Sequence, residues 1–370
     1  MTSGETPIWQ EPARGFYTDP GQFVALSGLD YVRSLVEGGS LPPPIGYFCG
    51  LRLTAVEPGS ATFTMPVSDW LLPPQGVVSG ATLGLLVDAP LGCTVQTALP
   101  PGTPFTTAEI SLSFLRTVVP RSGTLTAKGR LVHAGRTIAV SQVDVTDEAG
   151  RLLAVASSRL AILPRVDAPW EMVERALKNP PRFVEPQWPT PHPYQRPVAG
   201  EVLAQEIWAR MSGLEVLRGL IRQELPAPPL NRFFGIGPLE AEEGRTRWKM
   251  PASGWFCAPI KGRLYGGATT LLAGTAIDGA VQTTVPAGTA FAPVDLKVYF
   301  LRPVVPDGRD LIAVGTITHR GRSVVIGAAE VFDADGKKVA VATGSALILP
   351  GRPATVTTEL APADPSAGEP

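Results

Sequence analysis

Residues 80–98 read GATLGLLVDAPLGCTVQTA, and residues 266–284 read GGATTLLAGTAIDGAVQTT. Each opens on glycine, runs through small and aliphatic residues, and closes on Val-Gln-Thr: Val95-Gln96-Thr97 in one, Val281-Gln282-Thr283 in the other. The step from 95 to 281 is 186 residues, and the same step carries Phe114-Leu115-Arg116 onto Phe300-Leu301-Arg302. It also carries His133-Ala134-Gly135-Arg136 onto His319-Arg320-Gly321-Arg322 and Ile162-Leu163-Pro164 onto Ile348-Leu349-Pro350. Upstream, Met65-Pro66, Ser68 and Trp70 match Met250-Pro251, Ser253 and Trp255 at a step of 185, so one residue is gained near Ile260. A long repeat in nearly constant register means two copies of one domain. At the 186 step, Asp88 faces Gly274, so one copy carries an acid that the other lacks.

The quoted stretches have the length and small-residue content of a helix buried on most faces. Segments with strand character lie on either side. Ile110, Leu112 and Phe114 alternate with Glu109, Ser111 and Ser113, and Leu296, Val298 and Phe300 alternate with Asp295, Lys297 and Tyr299. Period-two alternation predicts a sheet with one face on a core and the other more polar, which favours antiparallel pairing. Hairpin signals follow at 134–136 and 148–150, and at 320–322 and 334–336. One buried helix wrapped by one curved antiparallel sheet, repeated in tandem, is an α+β layout. The expected organisation is an irregular arm over 1–27 and a first domain over 28–164. A Pro-rich connector and the start of the second repeat fill 165–212, the second domain spans 213–350, and a disordered tail takes 351–370. The connector, with seven prolines between 180 and 197, is expected to be stiff and extended.

Composition narrows the function classes. The formal net charge is −1 with 18% charged residues, which argues against nucleic acid as a partner. No apolar run is long enough to span a bilayer, and no secretory leader is visible at the N-terminus, so a cytoplasmic protein without a membrane partner is expected. Cys49, Cys93 and Cys257 are odd in number and lack metal-ligand spacing, so neither disulfides, a metal nor a cofactor is expected.

The segment Gly76-Val77-Val78-Ser79-Gly80-Ala81, continuing to Leu86-Val87-Asp88, resembles the hotdog-fold acyl-CoA thioesterases of the phenylacetate-pathway type. There a His or Asn and a Gly-Gly pair open the central helix, and a catalytic Asp stands nine residues after the His or Asn. Ser79 occupies the His position and Asp88 the acid position. The segments 105–120 (FTTAEISLSFLRTVVP) and 291–306 are similar to the strand that follows that helix. The departures are several. Ser79 and Tyr265 replace the usual His, and Ala81 replaces the second Gly while Gly266-Gly267 survives. Pro73 or Ala258 stands where an Asn is common, and Gly274 replaces the second acid.

The resemblance implies a composite site. An acid and an amide eight residues apart on one helix are separated by about 12 Å, so they cannot serve one carbonyl. Paired hotdog domains run their central helices antiparallel, which brings Asp88 to the Gly266-Gly267 helix end, where free N–H groups and the helix dipole stabilise a developing oxyanion. The mirror arrangement joins Gly274 to Gly80-Ala81 and has no acid. One live site per chain is therefore expected, acting on an acyl-CoA, with Asp88 as general base or as nucleophile. Asp278, Ser79, Gly80 and Tyr265 are candidates for the second site or pocket wall. Arg116, Arg136, Arg302 and Arg322 are candidate contacts for coenzyme A phosphates. The alternatives are a non-catalytic acyl-CoA-binding or interaction module, suggested by the decayed motif, and an enoyl-CoA hydratase or dehydratase. The second is opposed by the lack of His between 1 and 132. Two fused domains are compatible with a monomer, as an internal pseudo-dimer, or with a homodimer.

Overall fold

The computed structural model describes residues 6–37, 41–178 and 183–352. The first repeat unit contains helices α2 (Gly28–Val36) and α3 (Pro44–Cys49), preceded by α1 (Pro20–Ala25). Strands β1 (Arg52–Glu57) and β2 (Ser60–Pro66) follow, then the central helix α4 (Leu83–Gln96), entered through a short 3-10 turn at Gly80–Thr82. Strands β3 (Phe105–Phe114), β4 (Thr124–Ala134), β5 (Ile138–Thr146) and β6 (Leu152–Ile162) complete it. After α5 (Trp170–Lys178) and α6 (Gln205–Arg210), the second unit repeats the order. It has α7 (Gly213–Ile221), α8 (Pro229–Phe234), β7 (Gly237–Glu242), β8 (Arg245–Pro251), the central helix α9 (Gly266–Gln282), β9 (Thr289–Phe300), β10 (Asp310–Arg320), β11 (Val324–Phe332) and β12 (Lys338–Pro350).

Among the described residues the strands form one sheet of twelve, ordered β1-β2-β4-β5-β6-β3-β9-β12-β11-β10-β8-β7. The halves meet where β3 pairs with β9, antiparallel, with Ser111 opposite Lys297. Those two positions are themselves related by the 186 step, so a pseudo-twofold axis passes through the pair. The alternation read from sequence sets this seam: Ile110, Leu112, Leu296 and Val298 are buried, while Ser113 and Tyr299 face outward. In both halves the ladder between the seam strand and its own-domain neighbour is bulged, between Thr107 and Glu109 and opposite Ser345 and Ala346. A bulge kinks the strand and re-aims the side chains beside it.

The two central helices pack against each other under the sheet. Small residues permit it. A Cβ on Gly84 would lie 2.5 Å from the Thr270 side chain, and one on Gly267 would lie 2.6 Å from the Gly84 carbonyl oxygen. Phe48 of α3 stacks on its counterpart at the 185 step, Phe233 of α8, at 4.1 Å, within a cluster that includes Trp70 and Trp255. The repeated tryptophans thus serve as packing anchors between the units.

Two segments differ from expectation. The arm before residue 28 contains α1, started by Asp19, whose carboxylate accepts from Gln22 N at 3.0 Å, with Pro20 at the first helical position. That is a helix-start signal legible in Asp19-Pro20. The connector contains α5, a proline-free run of helix formers closed by a Glu174–Lys178 pair, which packs on α1. The extended character holds only after it, where Trp188 and His192 lie against Tyr47, and Arg196 pairs with Glu11 at 2.6 and 2.8 Å. The tail expected over 351–370 lies, from residue 353 onward, outside the described residues.

Candidate active site

Asp88 sits in the middle of α4, is 8% exposed, and points across the domain boundary. Its Oδ2 accepts a hydrogen bond from the Gly267 amide of α9 at 3.0 Å. The first turn of a helix has no internal partners for its N–H groups, and here one of them is directed at a carboxylate from the other copy. Gly266 is required by the approach: a Cβ there would stand 2.8 Å from Asp88 Oδ2. On the other carboxylate oxygen, Thr107 Oγ1 lies 3.5 Å from Oδ1, carried there by β3 beside its bulge. Thr107 is a site neighbour that the motif and its spacing do not reveal. Its only signal is a hydroxyl on the strand after the helix, one of several there, at the position where the second copy has Pro293.

Burial pushes the Asp88 carboxyl up to about 6, against hydrogen bonds from Gly267, Thr107 and Gly266 that favour its charged form. The Cys93 thiol, one turn further along α4, is itself pushed up to about 12 by burial and by the nearby Asp88 charge. A thiol so raised is a packing group and not a nucleophile at neutral pH.

Tyr265 immediately precedes Gly266. Its hydroxyl donates to the Leu85 carbonyl at 3.0 Å and accepts from the Ala89 amide at 2.7 Å. Ser79, its counterpart in the first copy, does something different. Ser79 Oγ caps its own helix by accepting from Ala81 N at 3.2 Å, and donates to Asp278 Oδ2 at 3.0 Å. Burial pushes the Asp278 carboxyl up to about 7, with the Ser79 hydroxyl opposing.

The mirror position is closed. A Cβ on Gly274 would stand 2.5 Å from the Ala81 methyl, and one on Gly80 would stand 2.7 Å from the Phe114 ring. The recess that remains, lined by Ala81, Phe114, Gly274, Asp278 and Leu296 among others, encloses about 10 Å³, room for at most a single water.

The four arginines divide between the ends of the seam strands and the hairpin tips. Arg116 and Arg302 each donate through Nη1, at 2.5 Å, to equivalent main-chain carbonyls, those of Leu152 and Lys338. Each ties the end of the seam strand to the start of its neighbour. Arg136 and Arg322 are exposed at the tips of the β4–β5 and β10–β11 hairpins. The second hairpin ends beside the C-terminal end of α9, where Arg320 donates to the Thr284 carbonyl, a helix length away from Gly266. The exposed cations close to the α9 N-terminus are Lys261 and Arg263, on the turn that leads into it, with Arg302 on the neighbouring chain segment, where Val304 O accepts from Leu264 N at 2.9 Å. Among the described residues no cluster of His, Cys, Asp and Glu has the form of a metal site, and no helix is long and apolar enough to cross a membrane.

The family model described as "Thioesterase superfamily" matches this chain twice, over residues 75–154 and 261–340. Both spans are offset by 186, and together they contain both central helices and the seam strands. An inferred esterase of Halobacterium salinarum is 31% identical over 136 residues, which is 34% of this chain and 88% of that protein. The chain belongs to the thioesterase superfamily. It is a hydrolase of that family, built as two tandem hotdog domains, each an antiparallel sheet curved around a central helix. Among solved structures, a tesB protein of Mycobacterium avium subspecies paratuberculosis is similar at 15% identity over 88% of this chain and 100% of its own, with a TM-score of 0.49. The acyl-CoA thioesterase II TesB2 of Mycobacterium marinum is similar at 12% identity, over 88% of this chain and 99% of its own, with a TM-score of 0.46.

Proposed function

We propose that this thioesterase-superfamily chain hydrolyses an acyl-CoA at one composite site, formed by Asp88 of the first domain and the Gly266-Gly267 helix start of the second. The observation that carries the proposal is the hydrogen bond from Gly267 N to Asp88 Oδ2 at 3.0 Å. It brings the acid and the start of the facing helix together, which supports a site where both act on one carbonyl once the thioester oxygen takes the amide over from the carboxylate.

In this scheme Asp88, ionised, takes a proton from a water that rests against its Oδ1 and the Thr107 hydroxyl. The resulting hydroxide attacks the thioester carbon, and the carbonyl oxygen becomes an oxyanion that accepts from the Gly266 and Gly267 amides. The tetrahedral intermediate collapses with cleavage of the C–S bond. The thiolate leaves and recovers the proton from Asp88, so the enzyme ends as it began. The Thr107 hydroxyl on the Oδ1 side supports a water-activating base over direct attack by the carboxylate. A carboxyl near 6 is a base that is both ionised and proton-accepting at neutral pH.

The carrier is supported by charge. Lys261 and Arg263 stand exposed beside the α9 start, where the first copy has Gln75 and Val77 at the closed position. Such a pair of cations beside the helix start suits the phosphates of coenzyme A. The test is to incubate the chain with aliphatic and aromatic acyl-CoA esters and follow free thiol. Thiol release is expected for at least one ester class. Tight acyl-CoA binding without release would point to a binding module instead.

A further inference from the structure

The usual rung of an α-helix joins a carbonyl to the amide four residues on. In α4 the turn that carries Asp88 lacks one such rung, and an outside group bonds both ends of the one before it. Pro90 has no N–H, so the Leu86 carbonyl has no donor at that distance. Leu85 and Ala89, the pair before it, are bridged by the Tyr265 hydroxyl, which accepts from Ala89 N at 2.7 Å and donates to Leu85 O at 3.0 Å. Asp88 lies inside the bracketed segment. A helix turn weakened by proline is thus held by a phenol from the other domain.

The same tyrosine fixes the amides. Tyr265 is the residue before Gly266, its own N–H donates to Phe256 O at 2.8 Å, and its carbonyl accepts from Ala268 N at 3.1 Å. Its ring is 5% exposed, and a Cβ on Gly267 would touch Tyr265 Cε1 at 2.7 Å. One side chain therefore locks both partners of the Asp88–Gly267 hydrogen bond, the acid through the backbone on either side of it and the amide through the chain. Ser79 cannot copy this: its short side chain is engaged with Asp278 and Ala81.

We propose that Tyr265 is a positioning residue for thioester hydrolysis, holding Asp88 in register with the Gly266-Gly267 amides by clamping the proline-interrupted turn of α4. The inference rests on the reading of Asp88 as the catalytic acid. Removing only the hydroxyl, by Tyr265→Phe, leaves the buried ring in place. Expected is a fall in kcat on the order of 10- to 100-fold, the cost of a small misplacement of a reacting group, with KM little changed. The acid limb of the kcat profile is expected to move upward, because a loosened Gly267 amide stabilises the charged carboxylate less. The titratable groups that interact electrostatically with Asp88 are Tyr265 and Cys93, both neutral at these pH values, so the limb reports Asp88. Adding Tyr265→Phe to Asp88→Asn is expected to cost no further rate, since both changes act through one carboxylate.

A Tyr265→Phe enzyme with unchanged kcat and acid limb, whatever its melting temperature, would overturn the proposal. If that variant does not fold, Tyr265→His, which keeps a ring with a polar tip, should fold with an intermediate kcat and a displaced limb, and wild-type behaviour from it would be equally fatal. The two ideas fail separately. Undiminished turnover by Asp88→Asn removes the catalytic reading itself, whereas a dead Asp88→Asn beside a normal Tyr265→Phe removes only the clamp.

Discussion

The carboxyl of Asp88 is expensive to bury and is only partly compensated, by the Gly267 amide at 3.0 Å, the Gly266 amide and one hydroxyl at 3.5 Å. That imbalance raises it to about 6 and leaves it able to accept a proton near neutrality. The rate of thioester hydrolysis is therefore expected to fall as pH drops through about 6 and to level off above it. Asp278 is also raised, to about 7, but it faces a closed recess. Measuring kcat/KM against pH for Asp278→Asn should leave the limb near 6 in place, and loss of that limb would transfer the titration to Asp278. At this scale Asp88 and the two glycines are picked out in the sequence by the mismatch between the copies and by the resemblance to the hotdog thioesterases. Thr107 and the bridging by Tyr265 are not. Both depend on which strand bulges and on how two domains dock, and neither leaves a periodic trace. Pro90 inside an otherwise helical run is the one local hint that the turn needs outside support.

The two central helices are copies that diverged where they touch. Gly266 and Gly267 admit the acid, whereas Ala81 and the Phe114 ring fill the corresponding space at the other end. Restoring the symmetry of the sequence does not restore the site. Gly274→Asp would place a Cβ 2.5 Å from the Ala81 methyl, with a charge facing an Ala81 amide already bonded to Ser79 Oγ. The expected result is a loss of about 2 kcal/mol or more of stability, through overpacking and an unpaired buried acid, with no gain in turnover. A thermal melt beside a rate assay checks this, and a stable variant with doubled activity would show the second end to be open. The mismatch of Asp88 with Gly274 is legible in the sequence as an asymmetry between the copies. That Ala81 causes the closure is not, because a methyl in place of a hydrogen matters only when a facing helix is in contact. The connector shows the opposite failure: counting its prolines hides the proline-free helix at Trp170–Lys178.

For the whole molecule, the repeat fixes the architecture. Equivalent residues Ser111 and Lys297 meet at the seam, so the two halves are related as the subunits of a symmetric pair would be, and twelve strands run continuously from β1 to β7. The fold class follows from the repeat, the buried helix and the alternating strands, each a feature written into one copy. Division of labour between the copies is the central proposal: of two possible ends, one carries the chemistry. The direct measurement is acyl-CoA hydrolysis by Asp88→Asn at neutral pH, on enzyme that retains its thermal melt. A fall of about 10²- to 10⁴-fold is predicted, the span usual for losing a general base, while undiminished turnover would contradict it.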